Sequence, residues 1–456
     1  MPRIQKTFVS SVPLCELKSM RRVLGITLLA IRASLRTKAV VALFALLAVC
    51  VLLLPSVIKS DGTAEGSCRI LLMYTVGFSF GILCLSTLWA ACALFAAEID
   101  SLRIQLSAVK PVRAAEFWLG KWLALLLLNA FLLAAVYGGV YAQLRWQMRA
   151  NGWGEQIALT SRTVARPILP SVAQEVRETY ALLKARDNLP EGMSERAILR
   201  ALAQNAQERY DLINPGEEKH WRFTLARPLR TGEAITVRIR FDTEFSTRTA
   251  VQGFCRLSSG DRAVEVPLDD FSLNEIEFEI AAEAFGAADA FTLSFRHTGD
   301  PQESSALMLR FRQDVALLTA GGTFEANLAR SALIQWSVLA LLAAFGLTLS
   351  TGFSMPVAMF TATVLLVLTI VGQSVVEGTS HEDEQEWSNR PGIWVSRGVT
   401  TLTQHATQNA PLESVIRGER VDAKALRAAL LWNVLLTPAL FALLGTHILR
   451  RRELAG

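Results

Sequence analysis

Apolar and polar positions are distributed unevenly along the chain. Long apolar runs collect in five blocks, around 39–57, 70–97, 122–142, 331–376 and 429–449. A helix of about 20 apolar residues is long enough to cross a hydrocarbon core of roughly 30 Å. The fourth block is too long for one crossing and divides at Ser350-Thr351-Gly352-Phe353-Ser354, just before Pro356. The pattern therefore predicts six spans, at 39–57, 70–97, 122–142, 332–349, 355–376 and 428–449.

Between the second and third spans lies a charged hinge, 98–121, reading EIDSLRIQLSAVKPVRAAEFWLGK. Ile99, Leu102, Leu106 and Val109 recur at helical spacing, with Asp100, Arg103 and Gln105 between them, which predicts a short amphipathic helix. Lys110-Pro111 ends it, because a residue before proline avoids the α region. A second helix starts near Ala114 and carries Glu116, Phe117, Gly120 and Lys121 into the membrane. A charge at the bilayer centre costs about 2.5–3.5 kcal/mol, so Glu98 and the other hinge charges belong at a membrane face.

Residues 143–330 read as a long insertion on the opposite side. A helical hairpin is expected over 172–212, broken at Asn188-Leu189-Pro190-Glu191-Gly192. From His220 the pattern changes to period two. WRFTLA, AITVRIRFDT, TAVQGFCRLS, RAVEVPLD, EIEFEI, AFTLSFRHT and ALMLRFRQDV are candidate strands, which predicts an antiparallel β-sandwich over 220–315 with Trp221 in its core. Residues 313–331 are expected to lead back to the bilayer. Arg238, Arg240, Arg296, Arg310 and Arg312 lie on the strands, either as a solvated sheet face or as a surface for an anionic ligand. A second outer segment, 377–427, opens with His381-Glu382-Asp383-Glu384-Gln385-Glu386, which reads as a solvated acidic loop before a metal site.

The fold class expected is thus a polytopic α-helical membrane protein of six spans with an extracytoplasmic α+β insertion. Charge orients it. The net charge is only +5, but Arg3, Lys6, Lys18, Arg21, Arg22, Arg32, Arg36 and Lys38 crowd residues 1–38, and Arg450-Arg451-Arg452 stand in the basic tail of 428–456. With Arg103, Lys110, Arg113 and Lys121 of the hinge, these place both termini and the hinge in the cytoplasm. These basic stretches adjoin spans, which argues against nucleic-acid binding. Residues 8–36 read equally as an amphipathic helix on the leaflet or as the basic flank of the first span. That flank is too long for a signal peptide, and no small-x-small site follows the apolar run. Cys50, Cys84 and Cys92 fall within spans, and a Cys68–Cys255 pairing is the one disulfide left open.

Catalytic signals are weak. Gly77-Phe78-Ser79-Phe80-Gly81 matches G-x-S-x-G, but that nucleophile motif needs a strand–turn–helix. Inside a span, Gly77 and Gly81 read as a G-x-x-x-G packing face. The chain holds no P-loop and no H-E-x-x-H, so no catalytic residue, metal or directly bound cofactor is predicted. Span interiors lack Asp, Glu, Lys and Arg, which argues against ion-coupled carriage.

The order of basic arm, two spans, hinge, span, insertion and three further spans resembles the permease subunit of type-2 ABC transporters. The resemblance is carried most specifically by Glu98, Lys110-Pro111-Val112-Arg113 and Phe117-x-x-Gly120-Lys121, and by the ending Arg451-Arg452-Glu453-Leu454-Ala455. It covers about 1–142 and 331–456 and leaves 143–330 unexplained. It implies a bacterial inner-membrane permease that pairs with a second copy or a paralogue. A separate cytoplasmic P-loop ATPase would carry the ATP and Mg and seat the hinge as its coupling helix. The alternative is a non-transporting anchor that presents the insertion to an envelope partner.

Overall fold

A computed structural model describes residues 12–36, 38–58, 63–100, 113–152, 161–168, 173–186, 195–230, 232–243, 248–286, 288–298, 306–310, 314–379 and 411–453. They form two compact units, one made of the apolar helices and the other of Ser161–Gly322.

In the helical unit, α1 is Val12–Arg36 and α2 is Lys38–Val57. One continuous helix, α3, joins Ala64–Ile70, a π-helical stretch Leu71–Val76 and Gly77–Asp100. Helix α4 is Ala114–Asn151, so it runs past the expected boundary at 142. The run from Gln143 to Ala150 alternates polar and apolar residues and contains neither proline nor glycine, and the helix ends only where Gly152 takes the left-handed C-cap with φ +66°. After the second unit come α7, Phe324–Gly352, and α8, Met355–Thr379, with Pro356 in its first turn, where the missing N–H is harmless. A short α9, Pro411–Ile416, precedes α10, which joins Ala423–Leu430, a π-helical stretch Leu431–Leu436 and Thr437–Glu453. That π stretch ends just before Pro438, whose ring excludes a normal turn below it.

Five helices among the described residues are long and apolar enough to cross a membrane: those over Lys38–Pro55, Gly66–Leu94, Ala114–Asn151, Phe324–Gly352 and Ala423–Arg451. The chain is a membrane-integral helical protein with a β insertion. At the expected fifth span, α8 is 25 residues long, and its side chains are described only to Val367. Helix α7 is the most enclosed and touches α3, α4, α8 and α10. Its neighbours bind it through indole and hydroxyl groups. Trp122 Nε1 donates to Ala340 O at 2.9 Å, Trp336 Nε1 to Leu126 O at 3.0 Å, and Tyr137 OH to Gln335 Oε1 at 3.0 Å. Such bonds fix seams between helices where apolar packing alone is unselective.

Among its described residues the second unit holds a helix pair, α5 (Ala173–Ala185) and α6 (Glu195–Asp211), packed on each other, and eleven strands. One sheet has the order β1 (Arg162–Ala165), β11 (Val315–Ala320), β4 (Ala234–Arg240), β8 (Glu275–Ala281). The other has β3 (Glu218–Thr224), β9 (Ala290–His297), β6 (Ala250–Ser259), β7 (Arg262–Phe271). Both are antiparallel, and short pieces β2 (Leu212–Ile213), β10 (Leu307–Met308) and β5 (Asp242–Thr243) make a third. Both four-stranded sheets contribute to one apolar core, with Trp221, Phe223, Leu257 and Phe295 from one and Val237, Ile239, Ile280 and Leu317 from the other. Trp221 is only 1% exposed.

Two expectations change here. Residues 315–320 are a sheet strand instead of a linker to the bilayer. Val315 to Thr319 are all buried, so both faces of β11 are covered and the sequence shows a continuous apolar run instead of alternation. Cys68 and Cys255 are free buried thiols, and burial pushes Cys255 up to about 12, as expected of an unreactive core group.

Candidate functional site: the junction of arm, second-span helix and third-span helix

Most of the described part of the hinge is the start of α4, which is enclosed by other helices. Arg113 is the N-cap, and its backbone N–H donates to Glu116 Oε2 at 3.2 Å, half of a capping box. The same carboxylate accepts from Ser19 Oγ at 2.7 Å and has Arg22 Nη1 at 3.8 Å, both from α1. Glu116 is only 6% exposed, so it ties the arm to α4 from a buried position. A negative group in the first turn also suits the helix dipole.

One turn on, α1 and α4 cross closely at Gly120. Thr27 Oγ1 donates to Gly120 O at 3.0 Å and to Val23 O at 2.9 Å. A Cβ on Gly120 would lie 2.6 Å from Ile26 Cγ2 and 3.3 Å from Val23 O. Only glycine fits this crossing. The next residue, Lys121, turns towards α3. Its side chain is buried, its Nζ donates to Leu94 O at 2.7 Å, and it stands 4.4 Å from the centre of the Phe117 ring. Trp118 and Trp122 stack at 6.1 Å and bury the remaining face. A Cβ on Gly445 of α10 would come within 3.0 Å of Trp118 Nε1.

The first turns of α4 thus hold the arm through Glu116 and Gly120, the end of α3 through Lys121, and α7 and α10 through the tryptophans. The structure brings Glu116, Phe117, Gly120 and Lys121 together with Arg113 at the entry. Glu98 and Asp100 lie in the last turn of α3, with their backbone described and their side chains outside the described residues. Arg103, Lys110 and Pro111 also lie outside them, as does the acidic stretch from His381. Sequence reading missed Ser19, Arg22, Ile26, Thr27 and Leu94. The helical spacing of apolar residues in the arm was the only signal that α1 had a partner.

The other candidates resolve differently. Among the described residues, Gly77 and Gly81 make no close packing contact: a Cβ on Gly77 would meet Leu412 Cδ2 at 3.8 Å, and one on Gly81 would meet nothing within 4 Å. Among the described residues of the helical unit, the tight crossings are at Gly120, Gly139, Gly346 and Gly445. Ser79 is fully buried within α3, and among the described residues its Oγ has no hydrogen-bond partner and no base is placed to activate it. Among the described residues no group of His, Cys, Asp and Glu is placed to hold a metal.

The strand arginines are largely matched by carboxylates. Arg238 is 8% exposed, so it is not on a solvated face. Its Nε lies 2.6 Å from Glu277 Oε1 and 3.0 Å from Glu275 Oε1, and Arg162 Nη1 donates to Glu277 Oε2 at 2.8 Å. Register explains the match, because Arg238 faces Glu277 directly across β4 and β8. Burial pushes the Glu277 carboxyl up, but the charge of Arg238 and the bonds from Arg162 and Arg238 hold it below its usual range. Arg296 pairs with Glu218 at 2.9 Å and Arg310 with Asp314 at 3.2 Å. Arg240 is exposed, and Arg312 lies outside the described residues.

No protein-family model, curated protein or solved structure matches this chain.

Proposed function

We propose that the chain is the six-span permease subunit of an ATP-binding-cassette transporter of the type-2 kind, with a β-sandwich inserted outside the membrane. A separate cytoplasmic P-loop ATPase binds the hinge, and ATP hydrolysis there moves substrate, in the direction of export. The protein acts as a pair, with a second copy or a paralogue, in a bacterial inner membrane with both termini in the cytoplasm.

The observation that supports this most is the enclosure of Glu116, Gly120 and Lys121 by α1 and α3 at the end of the hinge. A passive loop between two spans has no need of a buried lysine or of a glycine crossing. A segment that transmits displacement does, because a push on it must reach several helices together. Displacement of the hinge reaches the α3 end through Lys121 and the arm through Glu116 and Gly120.

The test is affinity purification of the native assembly in mild detergent, with mass spectrometry of the bound chains. A stoichiometric P-loop ATPase is expected, and Arg103→Glu in the hinge should weaken its retention without unfolding the protein. An assembly without an ATPase would overturn the proposal.

The separate core of Ser161–Gly322 favours a second reading, an anchor that presents this unit to an envelope partner. Under that reading an envelope protein, and no ATPase, co-purifies.

A further inference from the structure

Helix α1 has three distinct sides. At about 100° per residue, Val23, Ile26, Thr27, Ala30 and Ser34 fall on one side, half-buried or buried and turned to α4. The next sector holds Met20, Leu24, Leu28, Ile31 and Leu35. Four of these are about half exposed: Met20 57%, Leu24 56%, Leu28 50% and Leu35 53%. The third sector holds Arg21, Arg22, Arg32 and Arg36, with Leu29 among them. Arg22 reaches Glu116, but among the described residues Arg21, Arg32 and Arg36 have no carboxylate partner.

An exposed apolar stripe beside an exposed arginine stripe suits a boundary between hydrocarbon and negative charge. Two neighbouring features identify that boundary. Helix α2, a candidate span, begins at Lys38, two residues after α1 ends. Its own Val41, Phe44 and Leu52 are exposed as well. A protein groove would have to cover the apolar stripe while leaving the adjoining span to lipid.

We infer that α1 lies in the membrane interface and binds anionic phospholipid, with Met20, Leu24, Leu28 and Leu35 in the acyl boundary and Arg21, Arg32 and Arg36 on headgroup phosphates. Interfacial helices of this composition bury their apolar face about 5–10 Å into the boundary between headgroups and acyl chains. An arginine near an anionic surface contributes roughly fivefold to association. Because α1 holds Glu116 and Gly120, lipid charge sets the position of the α4 entry. This inference does not rest on the transporter reading.

The test uses the full chain with Leu28→Cys in a Cys15→Ser background, since the other cysteines are buried. An environment-sensitive fluorophore at position 28 is read in bilayer discs of phosphatidylcholine alone and with one third phosphatidylglycerol. The expected result is an apolar emission maximum, shifted further to the blue by phosphatidylglycerol. Arg21→Gln/Arg32→Gln/Arg36→Gln should remove that extra shift and leave detergent melting unchanged, which shows that the variant folds. Leu24→Ser should raise the label towards water in both lipids. Aqueous emission in both discs would overturn the interfacial placement. Equal emission in both discs, or an unchanged lipid response in the triple variant, would overturn the lipid contact. Reproduction of the shift by inorganic phosphate at matched ionic strength would assign the arginines to a soluble anion and overturn it as well.

Discussion

The two units bury charge in opposite ways. In the β unit, Arg238 is surrounded by Glu275 and Glu277, and Arg162 completes the set. Charge meets charge within one sheet, with Arg238 and its two carboxylates on neighbouring strands. At the α4 entry, Lys121 meets a backbone carbonyl and a ring, and Glu116 meets a hydroxyl and a backbone amide in addition to Arg22. Each of those groups reaches a different helix. The first arrangement stabilises one sheet, and the second sets the position of several elements relative to one another. The proposed coupling uses the second.

Substitutions break this contrast to different degrees. The largest expected effect is on the β core, where Trp221→Ala removes a fully buried ring and should cost about 3–5 kcal/mol. Chemical unfolding of the β unit's transition measures it, with the helical transition unmoved. Arg238→Ala comes next. Breaking a fully buried pair costs about 3–5 kcal/mol, and because Glu275 and Glu277 are partly exposed the value here should lie at or just below the lower end. Gly120→Val forces a side chain into Ile26 and should cost about 1–3 kcal/mol by overpacking, seen as a lower melting temperature and earlier proteolysis of the arm. Gly81→Ala fills open space and should leave melting unchanged within about 0.5 kcal/mol.

Acid sharpens the comparison. The Glu277 carboxyl is held below its ordinary value, so it binds fewer protons in the folded state than in the unfolded state. Its contribution is fully present above about pH 4.3, the usual glutamate value, and is lost as pH falls through the lower folded value. Melting of the β unit between pH 7 and pH 3 should show this loss, and Glu277→Gln should flatten the profile. A variant that keeps the wild-type slope would remove Glu277 from the account.

How far the sequence reveals this architecture depends on the element. The apolar blocks give the helices almost directly, because a span must satisfy its own backbone and be apolar along its length. The alternation in AVQGFCRLS and EIEFEIA gives β6 and β8, each with one face buried. Strand β11 escaped because both its faces are covered, and β1 because four residues, Arg162–Ala165, carry no usable period. At the candidate site, Gly120 and Lys121 were visible as a motif. Their partners were not, since Ile26 and Leu94 lie far away in sequence and only packing brings them near. The pairing of Arg238 with Glu277 depends on strand register, which alternation alone leaves undetermined.

The most direct test of the coupling claim is the ATPase rate of the assembled complex carrying Lys121→Met, with Lys121→Arg as the conservative control. The account predicts that Lys121→Met retains the ATPase at wild-type stoichiometry but loses its stimulation by the membrane subunit, while Lys121→Arg keeps most of it. Full stimulation in Lys121→Met would contradict the claim that hinge movement reaches α3 through this residue.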